Sequence, residues 1–165
     1  MRYLSLLVVT FCCGVVSLYN VHAQQKKPAT QREPRTFQSV PPVEYLARTR
    51  TGAAPFSEAV RVGQILYLSG QLGVDGSGAL VTGGIKAETK QALENIRSIL
   101  ERNSSGMDQV VKCTVMLADI ADRSAMSEVY ITFFPKDRRP ARSTFGTTGL
   151  ALGAKVEIEC MATLK

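Results

Sequence analysis

The stretch KVEIECMATL, residues 155–164, alternates apolar Val156, Ile158, Cys160, Ala162 and Leu164 with Lys155, Glu157, Glu159, Met161 and Thr163. A period of two is the signature of a half-buried strand, so Glu157 points away from the apolar face. Just upstream, in RRPARSTFGTTGLALGA (138–154), the same alternation sets Ala141, Ser143 and Phe145 on one side. Arg142 and Thr144 fall on the other side, and a glycine-containing connection leads into the last strand. If these two strands pair, Arg142 and Glu157 can share a face, which makes them candidates for a site as well as for a core.

Working back toward the N-terminus, SEAVRVG (57–63) and ILYLSGQLG (65–73) read as two strands in a hairpin turning through Gly63. GVDGSGALVTGG (73–84) is rich in glycine, but it matches no GxGxxG pattern and lacks a Lys-Ser/Thr ending. It therefore reads as a turn or hairpin connection and not as a phosphate cradle. From Ile85 to Asn103 the period lengthens: Ile85, Thr89, Ala92, Leu93, Ile96, Ile99 and Leu100 form one stripe of an amphipathic helix. VVKCTVML (110–117) predicts another strand. A second helix follows over 123–134, presenting Met126, Val129, Tyr130 and Phe133 and ending before Pro135.

The order strand, strand, helix, strand, helix, strand, strand predicts an α+β sandwich, with two helices on one face of a largely antiparallel or mixed sheet. The other sheet face mixes charged, polar and apolar groups with no element to cover it, so an oligomer is expected, with polar groups of neighbouring copies in shared clefts.

The chain begins with Arg2, an apolar run YLSLLVVTFCCGVVSLY and the small-residue pattern Val21-His22-Ala23, the arrangement of a signal peptide cleaved after Ala23. The alternative is an uncleaved N-terminal anchor. Three segments follow from this: a signal peptide (1–23), a basic flexible linker (24–42) and one domain (43–165). The protein is expected to be exported, periplasmic or secreted. Cleavage removes the sole histidine, His22. A mature chain without histidine has no Ser-His-Asp triad, His base or histidine-ligated metal.

Cys113 and Cys160 remain, both on apolar strand faces and without a CxxC partner. Buried free thiols are expected, with a bridge open to an exported protein. The formal charge of +6 is concentrated partly in QQKKPATQREPR (24–35). That arm lacks interleaved aromatics, so no nucleic-acid partner is expected.

AAPFSEAV, ILYLSGQLG, QALENIRSIL, VVKCTVML, VYITFFP, RPARSTF and KVEIECMA, in this order and spacing, resemble the reactive-intermediate deaminases, the Rid or YjgF-like family, over about residues 53–165. The resemblance implies a chorismate-mutase-like fold assembled as a homotrimer, with ligand sites between subunits. It also implies hydrolysis of enamines and imines such as 2-iminobutanoate and 2-iminopropanoate to 2-oxo acids and ammonia with neither cofactor nor metal, in agreement with the missing histidine.

Carried over by position, Arg142 is the substrate-binding arginine, whose planar fork suits a carboxylate. Glu157 is the acid that positions or deprotonates water. Gly70 and Thr144 line the pocket through their backbones, and Tyr130 is an aromatic beside it. Phe56 stands where the family has tyrosine, Ser127 where it often has asparagine and Thr144 where it commonly has cysteine. These departures imply a shifted substrate range or a lower rate. A non-catalytic trimer that binds a small carboxylate metabolite is the alternative of a different class. A nuclease role finds neither metal ligands nor histidine.

Overall fold

In the computed structural model, which describes residues 39–47 and 55–165, the chain forms one mixed sheet with two helices against one face. The signal peptide, its cleavage site and residues 24–38 of the linker lie outside the described residues. The elements are β1 (Val43–Leu46), β2 (Ala59–Val62), β3 (Ile65–Leu68), β4 (Gln71–Leu72), α1 (Gly84–Arg102), β5 (Val110–Leu117), α2 (Arg123–Tyr130), β6 (Ala141–Gly146) and β7 (Val156–Thr163).

The sheet order is β1-β2-β3-β7-β5-β6, with β4 also pairing β7. All pairs are antiparallel except β5 with β6. A parallel pair needs a crossover, and α2 supplies it. The Gly73–Gly84 stretch is a connection: Val74 and Leu80 form a bridge, and the Asp75 carboxylate accepts from the Ser77 and Ala79 amides.

The core lies between the helices and the inner face of the sheet. The α1 stripe buries Thr89, Ala92, Leu93, Ile96, Ile99 and Leu100. It packs on β7 and α2, against Val156 and Ile158 of β7 and Met126 of α2. Each fully buried Leu or Ile contributes about 1.5–3 kcal/mol relative to exposure.

Three boundaries differ from the sequence pattern. β1 was not expected. Residues 65–73 split into β3 and β4 at Ser69-Gly70, where Gln71 Nε2 turns back to donate to the Ser69 and Gly70 carbonyls at 3.0 and 3.1 Å. α2 ends at Tyr130, followed by a 3-10 turn over Ile131–Phe133, because Pro135 holds Phe134 extended (φ −123°, ψ 143°).

The expectation of free thiols is corrected. Cys113 on β5 and Cys160 on β7 stand directly opposite each other and form a disulfide, with Cα atoms 4.1 Å apart. Alternation placed both on the core face, and the β5–β7 register makes them partners. The bridge closes a separation of 47 residues. By limiting the unfolded chain, a loop of that size stabilises by about 2–4 kcal/mol. Urea unfolding of oxidised and reduced protein should differ by that amount; coincident curves would show that the bridge carries no stability.

Candidate active site

The residues singled out by sequence fall into two clusters. Arg142 lies on edge strand β6, in register with core residue Cys113 of β5, and so points toward α2. Its Nη2 donates to Ser127 Oγ at 3.1 Å, its Nη1 lies 3.9 Å from the Met126 sulfur, and its Cζ sits 4.7 Å from the Tyr130 ring centroid. Ser127 and Tyr130 are three apart on α2 and so share the face that receives the guanidinium.

Burial pushes the Tyr130 phenol up to about 12, opposed by the Arg142 cation, so the hydroxyl stays protonated at neutral pH. Thr144, in register with Val115, lies on the same sheet face as Arg142. Tyr130 Oη and Thr144 Oγ1 are buried without a hydrogen-bond partner among the described residues. Among those residues no Asp or Glu forms a salt bridge with Arg142. A half-buried guanidinium with five donors, one hydroxyl partner and an aromatic backing is suited to an incoming anion.

The second cluster lies on the open face. Glu157 of β7 stands between core residues Val156 and Ile158 and points away from them, as alternation requires. Its carboxyl lies over Gly70: a Cβ built at residue 70 would come within 2.8 Å of the Glu157 carboxyl carbon. A side chain at residue 70 would therefore displace the Glu157 carboxyl from its place. Ser69 Oγ donates to the Ser57 carbonyl at 2.7 Å, tying this backbone to the segment that carries Phe56.

Phe56, Gly70 and Glu157 line one cavity of about 350 Å³. Burial, and secondarily the neighbouring Glu159 charge, raise the Glu157 pKa above the usual glutamate value. A carboxylate poised in this way is a candidate general base.

The expectation that Arg142 and Glu157 share a face is corrected. β5 lies between β6 and β7, so the two strands do not pair. Arg142 faces the helices, whereas Glu157 pairs with Met116 on the opposite side. The premise failed on β6, where the apolar partners of the alternation, Ala141 and Phe145, face outward and the polar ones face inward. The two clusters therefore do not meet within one copy of the chain. The sequence reading missed Gln71 and Leu152, which line the same cavity as Glu157. The signal for Leu152 was its place beside Gly153 in the connection before β7.

Residues 48–164 match the family model described as Endoribonuclease L-PSP. Over 117 residues, covering 70% of this chain and 85% of the relative, the sequence is 45% identical to a goat (Capra hircus) protein named 2-iminobutanoate/2-iminopropanoate deaminase. It is 41% identical over 111 residues to the Arabidopsis thaliana protein named Reactive Intermediate Deaminase A, chloroplastic; the match covers 67% of this chain and 59% of that longer relative. A crystal structure of a Rid-family protein of unknown function from Yersinia pestis superposes with a TM-score of 0.70 at 32% identity, covering 74% of this chain and all of that one.

Proposed function

The chain belongs to the Endoribonuclease L-PSP family, and from that premise we propose that it hydrolyses reactive enamines and imines of the 2-iminobutanoate and 2-iminopropanoate type to 2-oxo acids and ammonia. The observation that carries the reading is Arg142, held on Tyr130 and Ser127 with no acidic partner among the described residues. Its fork fits the substrate carboxylate through two parallel bonds.

Because Arg142 and Glu157 occupy opposite faces of one sheet, a complete site takes Arg142 from one copy and Glu157 from another. A homotrimer built on the open sheet faces supplies that arrangement. Exposed Val43, Tyr45, Tyr67 and Phe145 on that face support it. In each site water attacks the imine carbon while Glu157 accepts its proton. The same carboxyl returns that proton to nitrogen to give a carbinolamine, then takes the hydroxyl proton as the carbonyl forms and passes it to the departing nitrogen, so that the C–N bond breaks and ammonia leaves with the 2-oxo acid.

The proposal includes export, with the leader removed after Ala23. The Cys113–Cys160 bridge supports an oxidising compartment. Phe56, which lacks the hydroxyl of the family's tyrosine, favours a second reading in which the same clefts bind a carboxylate without turnover. Purified protein added to freshly generated 2-iminopropanoate should accelerate 2-oxo acid and ammonia release above the buffer rate. Saturable carboxylate binding with no acceleration for any imino acid would favour the second reading.

A further inference from the structure

Helix α1, behind the sheet, holds the two strand ends between which Glu157 stands. Glu88 of α1 is 5% exposed, and no other acidic side chain among the described residues is buried. Its Oε2 accepts from the Lys155 amide at 2.7 Å, while the Lys155 carbonyl accepts from the Ala118 amide at 3.0 Å. The residue that leads into β7 is thus fixed on both sides, two positions before Glu157. Strand β4, which pairs Leu72 with Glu157, is held by the same helix. Seven residues beyond Glu88, and so on the same side of α1, Asn95 Nδ2 donates to the Leu72 and Val74 carbonyls at 3.1 and 3.0 Å. A Cβ built at Gly73 would come within 2.5 Å of the Glu88 Cα, so the helix and the end of β4 meet backbone to backbone. A buried carboxyl is costly unless its oxygens are bonded, and an apolar residue in its place would leave the Lys155 N–H without this acceptor.

Resting on the deaminase reading, we infer that Glu88 is a positioning residue: through the Lys155 amide it sets the start of β7, and with it the place of the Glu157 carboxyl over Gly70, without touching substrate. The role depends on the reach of the side chain and not on its charge, since any oxygen at that point can accept from the amide. Arg142 takes no part in it, because its own partners are on α2.

Two variants separate reach from charge. Glu88→Gln presents a carbonyl oxygen at the same length, so kcat for 2-iminopropanoate should stay within about twofold of the parent. Glu88→Asp keeps the acid but is one methylene shorter, and it can meet the amide only by drawing β7 toward α1. Its kcat should fall about 10- to 100-fold, the range for a misplacement of about 1 Å at the reacting centre. KM should stay within about twofold in both, since the carboxylate anchor is untouched. Asn95→Ala releases β4 from the same helix and should likewise lower kcat with KM unchanged; it decides the matter if a melting curve shows Glu88→Asp unfolded. Equal kcat in the aspartate and glutamine variants, a loss in Glu88→Gln as large as in Glu88→Asp, or a loss that falls on KM would overturn this role while leaving the deaminase reading intact. Absence of turnover in the parent chain overturns both.

Discussion

Arg142→Ala is expected to lower kcat/KM for 2-iminopropanoate by about 10²–10³-fold, since it removes charge-assisted bonds worth roughly 1.5–3 kcal/mol each. The loss should fall mainly on binding, because a carboxylate contact is made in the ground state as well as the transition state. Arg142→Lys should recover only part of it: an ammonium cannot form the two parallel bonds and stacks less well on Tyr130. Folding should suffer little, since the lost contacts are a ring stack of about 0.5–1 kcal/mol and the 3.1 Å bond to Ser127. Steady-state kinetics with a melting curve separate the two effects. Near-normal turnover in Arg142→Ala would remove Arg142 from the site.

Glu157→Gln carries the second large effect, a fall in kcat of about 10²–10⁴-fold, the usual contribution of a positioned acid or base. Its stability should move the other way. The native pKa of Glu157 is raised above 4.5 by burial and by Glu159. The folded chain thus holds the proton more tightly than the unfolded one, and stability falls as pH rises between the ordinary glutamate value and the raised native one. Above that window the ionised carboxylate is a net cost, which glutamine removes. At pH 7 the variant should melt no lower than the parent and yet be inactive.

The rate should show the same group. The base works only when ionised, so activity falls as pH drops through a midpoint above 4.5, and Glu159→Gln should move that midpoint down by removing a like charge. An acid limb that persists unchanged in Glu157→Gln would assign the base to another residue.

What could be read from the chain divides along physical lines. β5 and β7 were legible to the residue or nearly so, because both are central strands whose apolar faces meet the core. α1 was legible because its stripe at Thr89, Ala92, Leu93, Ile96 and Leu100 has a helical period. β1 was not legible, since a mostly exposed edge strand needs no apolar alternation. The face of β6 was read wrongly for a related reason: alternation gives two sides without saying which is inner, and on this edge strand the polar side is the inner one. Pairing was beyond alternation altogether. The insertion of β5 between β6 and β7, and the apposition of Cys113 with Cys160, come from long-range register. Arg142 and Glu157 were singled out by alternation, and resemblance suggested their roles and the remaining candidates. Their division between two sheet faces emerged from the fold.

That division is tested most directly by mixing. Arg142→Ala and Glu157→Gln chains, unfolded together and refolded into mixed assemblies, should regain about one quarter of wild-type activity, because random assembly leaves that share of interfaces with an intact Arg142 facing an intact Glu157. Mass spectrometry of tagged chains would verify that mixed assemblies formed. Recovery near one quarter is the predicted result; mixed assemblies no more active than either parent would contradict a site shared between copies.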